Sequence, residues 1–416
     1  MKQLSLIVSI LLFSSAAYGA SLVEMQDMAL ENRQVIQRYM TDLERSGKDI
    51  QLARGAYYPS LDVLYTVNSL DESSLIEERN NRVAIGRISW NLFSGFADKY
   101  NIRSAQMLKD VEKYRLDGIR QDLKLDVALA YLGVYERRAN RKVAESAYQT
   151  LEKVYRDGEG RYDVGLIDKN DLLKFRVDYD NADIRLQAAD ADLQKSVQRL
   201  SFQVGSDIAL SGLDFADFTT LPTVIDEDLY KGRMLASRSE IKVLEAGVKA
   251  TEFREKSAAS GYYPRLDAVG SYRRYDDDST VGNSFVDNEE LRAQLVVSMN
   301  LFKGFTTQNS VSRAKLQTRS LRYDLAELTN RMVTDLDNLF VDFRVSLDNV
   351  DVANRSIEQA KENLRITQMK YDEGLQRESD LLDAITNLSR ARYNYVAVIK
   401  TLFANYFQLT RMVEGF

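Results

Sequence analysis

The 416-residue chain contains no cysteine, no histidine and only three prolines. Without cysteine there is no disulfide framework, no metal–thiolate site and no N-terminal lipid anchor carried on a cysteine. Without histidine the commonest general base and metal ligand is missing. Catalysis would have to rest on carboxylates alone, so no enzymatic activity, cofactor or metal is expected. Three prolines leave room for long uninterrupted helices; average usage near ~5% would supply about twenty. Mean hydropathy is −0.35, and no run of about 18 apolar residues follows Ala20, so no transmembrane helix is expected. A membrane span would then have to be a β-barrel, because only helices and closed barrels satisfy their backbone polar groups in lipid. The formal charge of −6 is mild, and no basic stripe interleaved with aromatics marks a nucleic-acid surface.

What is present begins with an export signal. Lys2 is followed by the apolar run Leu4–Phe13 and then by Ala17-Tyr18-Gly19. A basic start, a short apolar core and a small-x-small site read as a signal peptide, residues 1–19, cleaved after Gly19, with Ala17 as the second choice.

The remainder is written twice. Tyr57-Tyr58-Pro59-Ser60-Leu61-Asp62 recurs as Tyr262-Tyr263-Pro264-Arg265-Leu266-Asp267, an offset of 205 residues. Asn91-Leu92-Phe93-Ser94-Gly95-Phe96 recurs as Asn300-Leu301-Phe302-Lys303-Gly304-Phe305, and Tyr162-Asp163-Val164-Gly165-Leu166 as Tyr371-Asp372-Glu373-Gly374-Leu375, both at 209. The change of offset places a net four-residue insertion between the first two motifs. Internal repetition of this length predicts one structural unit used twice: a first repeat over 20–204, a linker over 205–227, and a second repeat over 228–416. Each is read as helix, strand pair (57–93 and 262–302), long helix, helix.

Within each repeat the hydrophobic period changes. Leu172, Tyr179, Leu186, Leu193 and Leu200 recur every seven residues, with Phe175, Ala182, Ala189 and Ser196 three residues after the first four. Leu381, Leu388, Tyr395, Leu402 and Leu409 repeat the pattern in the second half. Large residues at one seam position and mostly small ones at the other predict coiled-coil packing. Upstream, Ala97–Arg156 and Thr306–Met369 read as longer helices, about 90 Å at ~1.5 Å per residue. The helices before Tyr57 and after Asp168 read as about 35 residues each. Between short and long helices the period is two. Ala84, Gly86, Ile88, Trp90 and Leu92 alternate with Val83, Ile85, Arg87, Ser89 and Asn91, and Leu291 to Leu301 repeat the alternation. About ten residues with one apolar face are the mark of a transmembrane β-strand, and the Tyr57-Tyr58 and Tyr262-Tyr263 pairs suit an interfacial aromatic girdle. The acidic connections, Ser69 to Asn81 and Asp276 to Glu290, are read as external loops.

Four strands cannot close a barrel, whose smallest bacterial form has about eight. An open sheet edge in lipid is forbidden, so the barrel must be shared among protomers. A twelve-stranded trimer leaves a lumen that an eight-stranded dimer does not. In its tandem halves, Tyr-Pro-x-Leu motif, Asn-Leu-Phe-x-Gly-Phe motif and Tyr-x-x-Gly turn before Asp-Leu-Leu, the chain resembles the TolC-like outer-membrane efflux and type I secretion channels. The resemblance implies a mixed α and β membrane protein. Its fold is a homotrimer with one twelve-stranded outer-membrane β-barrel, continued by a long periplasmic α-helical coiled-coil barrel. It implies a passive duct from a periplasmic membrane-fusion adaptor and an inner-membrane ABC or RND-type pump to the outside of a Gram-negative cell. Type I protein secretion is the reading taken. Multidrug efflux with an RND-type pump and a periplasmic or surface coiled-coil stalk are the alternatives.

The same resemblance assigns the turns after the long helices. Val164-Gly165-Leu166 and Glu373-Gly374-Leu375 correspond to the tips that dock the adaptor. Asp380 and Asp383, three residues apart and so on one helix face, correspond to acidic rings at the periplasmic gate. Asp171 corresponds to a member of the closing network with the tip tyrosine Tyr371, whose first-repeat copy is Tyr162. Gln376 stands where the family has a latch arginine, with Arg377 beside it. Helix capping by Asn170, Ser379 and Asp380 is the alternative role for this cluster.

Overall fold

The computed structural model describes residues 20–72, 79–223, 226–275 and 288–416. The expected signal peptide and parts of both acidic connections (73–78 and 276–287) lie outside the described residues. The first repeat contains α1 (Leu22–Asn32), α2 (Gln34–Gly55), β1 (Ser60–Ser69), β2 (Asn80–Phe93), α3 (Ala97–Asp163) and α4 (Lys169–Val204). The second contains α5 (Glu227–Ser237), α6 (Ser239–Ala258), β3 (Arg265–Tyr275), β4 (Glu289–Ser298), α7 (Thr306–Asp372) and α8 (Glu378–Met412). The internal duplication is therefore a duplication of elements. α1 and α5 are each 11 residues and begin 205 apart, while α3 and α7 are each 67 residues and begin 209 apart.

The described residues form two compact units, one within Met1–Ile36, Ile119–Arg238 and Met332–Phe416, the other within Gln37–Gly118 and Ser239–Arg331. The second of these holds one antiparallel sheet in the order β1-β2-β3-β4. Its register puts Leu61 opposite Ile88, Ile88 opposite Gly270 and Gly270 opposite Ala293. Because side chains alternate along a strand, one face then carries Leu61, Val63, Tyr65 and Val67 of β1 and Ala84, Ile88 and Trp90 of β2. Leu266, Ala268 and Tyr272 of β3 and Leu291, Ala293, Leu295 and Val297 of β4 complete it. Arg82, Arg274 and Glu289 close that face at the loop end. The apolar stretch runs about 20–26 Å along each strand at ~3.3 Å per residue, the height of a lipid-facing band. Asp62, Thr66, Asn68, Arg87, Ser89, Asp267, Ser271, Arg273, Arg292 and Gln294 occupy the opposite face, interrupted by Leu64, Val83, Ile85, Val269 and Val296. There Arg273 pairs with Glu290 at 3.7 Å and Arg265 with Asp267 at 2.9 Å.

Pro59 and Pro264 sit one residue before β1 and β3, where a missing N–H costs no ladder bond. Gly95 and Gly304 have positive φ, and so do Phe96 (71°) and Phe305 (61°) after them. Both phenylalanines pay for a left-handed backbone and make the same contact, an edge-on packing against Phe93 and Phe302 respectively. With the two tyrosine pairs they gather aromatics at the helix-connected end of every strand. β4 ends at Ser298, four residues short of the position equivalent to the end of β2.

In the other unit the long and short helices pack along the expected seam. Phe175, Ala182, Leu193 and Leu200 are buried on α4, and Leu381, Ala384, Leu388, Leu402, Leu409 and Met412 on α8. Leu186 is only half-buried within the single chain. Two features depart from the sequence reading. Each N-terminal helix is broken near its eleventh residue, at Arg33 and at Arg238, the C-caps of α1 and α5. Neither break has a proline or glycine. Arg33 Nη1 donates to the carbonyl of Phe202 (2.9 Å), and Arg238 Nη1 to that of Arg411, the equivalent position. A charge-assisted bond to the last turn of α4 or α8 thus fixes the break in both repeats. Second, the linker is partly core. Leu213, Phe215 and Phe218 are buried against Tyr131, Tyr135, Phe403 and Phe407, and the Tyr131 hydroxyl donates to the carbonyl of Asp214.

The two helical turns as the candidate functional site

Both turns close by the same backbone device. Gly165 N donates to the Tyr162 carbonyl (2.9 Å) and Leu166 N to that of Arg161 (2.8 Å); Gly374 and Leu375 do the same to Tyr371 (3.0 Å) and Lys370 (2.8 Å). This paired 5→2 and 6→1 closure requires a left-handed residue, supplied by glycine at φ 77° and 74°. The helices consequently run to Asp163 and Asp372, further than the periodicity indicated. The turns expose Val164 (71%), Leu166 (72%) and Leu375 (72%). Glu373, also exposed, makes the second tip acidic where the first is apolar.

The residues expected at the gate are only partly brought together within the chain. Tyr371 is 8% exposed, lies edge-on to Phe175 (6.2 Å) and sits under the Arg161 guanidinium (4.9 Å). Burial raises the Tyr371 phenol, Arg161 opposes that, and its hydroxyl is buried with no hydrogen-bond partner. Asp171 accepts from Lys174 Nζ (3.2 Å), which also donates to Glu378 (2.6 Å), while Tyr371 makes no hydrogen bond to Asp171 within the chain. Asp380 accepts from Gln376 Nε2 at 2.7 Å. Tyr162 is 39% exposed, and Arg377, an exposed residue at the N-cap of α8, makes no side-chain capping bond. Asp383 lies by Asp178, whose carboxyl is raised by burial, with Asp383 as a like charge. Capping falls elsewhere than expected: Asp168 caps α4 through the Asp171 amide (3.0 Å), and neither Asn170 nor Ser379 is a cap.

Three residues of this cluster escaped the sequence reading, Arg161, Lys174 and Glu378, and Phe175 was read only as a seam residue. Arg161 bonds Asp372 at 3.0 Å across the two repeats. Only the Asp171–Lys174 spacing of three gave a local signal; the other partners are more than 200 residues apart. The ammonium of Lys174 holds the Glu378 carboxyl below its ordinary range. A depressed carboxylate stabilises the fold above its unfolded pKa and loses that contribution as pH falls through the folded value. Lys174→Met should therefore be less stable at neutral pH and show a flatter stability profile through the carboxylate range, read by urea unfolding of the two proteins. Parallel profiles would show that the pair contributes nothing. Among the described residues no helix is long and apolar enough to cross a membrane, and no acidic cluster could hold a metal ion.

A sheet with one apolar face and two open edges, carried on duplicated long helices, defines the protomer of an outer-membrane protein with mixed α and β architecture. The outer membrane efflux protein family profile matches residues 25–206 and again 232–413, and the chain belongs to that family, whose members are outer-membrane channel proteins. It is 22% identical to outer membrane protein TolC of Vibrio cholerae over 96% of this chain and 94% of that one. It is 23% identical to protein CyaE of Bordetella pertussis over 90% and 80%. Among solved structures, the outer membrane protein VceC of Vibrio cholerae superposes with a TM-score of 0.80 at 16% identity, covering 95% of this chain and 96% of that one. A membrane protein from Pseudomonas aeruginosa superposes at 0.82 and 15%, covering 94% and 92%.

Proposed function

We propose that the chain is the homotrimeric outer-membrane duct of a tripartite export system, exported by its signal peptide and passive in transport. The observation that carries this reading is the sheet. One face is apolar over the height of a lipid core, the other is polar, and both edges are open, an arrangement stable in lipid only when further copies close the barrel. The exposed turns Val164-Gly165-Leu166 and Glu373-Gly374-Leu375, the first apolar and the second acidic, fit a periplasmic adaptor, which would cover the apolar Val164, Leu166 and Leu375 that are costly to leave in water. The adaptor links the duct to an ABC or RND-type pump in the inner membrane.

Type I protein secretion is the cargo reading. The polar sheet face carries both signs of charge, so a passing polypeptide of either sign finds no continuous attractive wall. Small-molecule efflux is the second reading, favoured by the family's description. Deleting the gene separates them: loss of one large protein from the medium supports secretion, whereas drug sensitivity with intact secretion supports efflux. A strain unchanged in both would refute the duct.

Asp171, Asp380 and Asp383 are the acidic residues of the gate, with Tyr162, Tyr371 and Arg377 around them. A ring of carboxylates concentrates cations. Asp380→Asn with Asp383→Asn should lower cation selectivity in a planar bilayer, while the Gln376 bond survives because the asparagine carbonyl also accepts. Unchanged selectivity in a correctly assembled channel would remove both residues from the gate.

A further inference from the structure

Two ion pairs at the turns join the first repeat to the second within one chain: Arg161 with Asp372 (3.0 Å) and Lys174 with Glu378 (2.6 Å). The 209-residue offset gives each partner a counterpart in the other repeat. Arg161 and Asp372 become Lys370 and Asp163; Lys174 and Glu378 become Asp383 and Lys169. Opposite charge is kept in both pairs, in the second with the signs exchanged. Yet all four counterparts are exposed, and among the described residues none makes a side-chain ion pair or hydrogen bond within the chain. What each lacks is the other repeat on its open side. We propose that Lys370 and Asp383 of one protomer pair with Asp163 and Lys169 of the partner subunit, so that the ring of turns is locked between copies of this chain. The inference rests on the homo-oligomeric duct proposed above and specifies which residues meet.

Independent packing supports the same operation. Phe175, 1% exposed, lies over Gly158, where an added Cβ would come within 2.7 Å of the ring. Their counterparts, Ala384 and Thr367, are both buried, with the bulk moved to the other member. Phe175 covers Tyr371, and the counterpart of that pair is Ala384 with Tyr162, a tyrosine left uncovered in one chain. Within the sheet unit the operation also explains the short strand. Trp90, Asn91 and Phe93 at the end of β2 pair only with β3. The corresponding residues Met299 to Phe302 have no such strand, and the equivalent of β3 is β1. Carrying the register across sets Leu295 against Val67 and Val297 against Tyr65 of the partner subunit, apolar against apolar. Gly95 lies under the Ser260 carbonyl, whereas an added Cβ at Gly304 meets nothing within 4 Å, as expected if its cover is the equivalent Gly55 of the partner subunit.

Asp383 is thereby drawn toward the neighbouring copy, and the entrance field falls mainly to Asp380. A chain without cysteine makes the test direct. Asp163→Cys and Lys370→Cys are introduced on separate, differently tagged copies, coexpressed and oxidised in membranes. A disulfide-linked species carrying both tags is expected. A second arm reverses charge: Asp163→Lys alone should raise the conductance of the closed channel, and adding Lys370→Asp should return it to the parental value. If an amine-reactive crosslinker gives a trimer but no mixed disulfide forms and the double reversal does not restore, the pairing is wrong and the duct stands. If neither reagent links copies, the duct reading itself fails.

Discussion

Leu402→Asp should prevent the helical unit from folding. Leu402 is fully buried on α8, in a seam that the sequence repeats every seven residues. Truncation to alanine alone would cost about 2–5 kcal/mol through lost transfer energy and the cavity. A carboxylate adds the penalty of an unpaired buried charge, and it either stays charged at several kcal/mol or takes a proton with its pKa raised. Against a typical stability of about 5–15 kcal/mol this consumes most of the margin. The expected result is loss of the protein from the membrane fraction and its recovery as proteolytic fragments. Leu186→Asp is the informative contrast. Leu186 is half-buried in the single chain, so the same change should leave the protomer folded. A wild-type yield of Leu402→Asp would mean the stripe does not pack as the structure has it.

The second large effect belongs to Gly95. At φ 66° an L side chain is strained by about 1–2 kcal/mol, and its Cβ would stand 2.7 Å from the Ser260 carbonyl oxygen, a backbone atom that cannot swing away. Gly95→Ala should therefore cost roughly 2–4 kcal/mol when the clash is added to the strain. Gly374→Ala has the same backbone sign but open space around the new methyl, and should cost only about 1 kcal/mol. Thermal unfolding of the detergent-extracted protein should rank Gly95→Ala well below Gly374→Ala. Equal melting temperatures would show that the close approach yields at no cost.

The parts of this fold that were readable in the sequence are those written locally and then repeated. Tyr-Tyr-Pro before a strand, Gly-Phe after one and Gly at a helix end each impose a backbone state, and their recurrence at offsets of 205 and 209 marks equivalent elements. The breaks at Arg33 and Arg238 were not readable as breaks, because nothing local ends those helices; a carbonyl more than 150 residues away holds them. The recurrence of Arg33 as Arg238, 205 residues on, was the available hint. The linker cluster around Phe215 and Phe218 was missed for the opposite reason. Its spacing of three resembles surface turn chemistry, and burial is decided by Tyr131 and Phe403 on other helices. At the turns, resemblance supplied the acidic residues but not their partners. Within one chain Asp171 meets Lys174 and Tyr371 meets Arg161, partners that the resemblance did not name.

The short β4 has a consequence for how the protein comes into being. A strand that completes itself only against another copy makes part of the folding free energy bimolecular, and such stability depends on protomer concentration. A newly exported chain at low abundance carries an unfinished apolar edge, the kind of surface that pairs wrongly or is degraded while it waits. Arrival of neighbouring copies sets the rate at which that edge disappears. Diluting expression should therefore lower the surviving protein per transcript more steeply than in proportion, an order of reaction rather than a stability being what limits the supply.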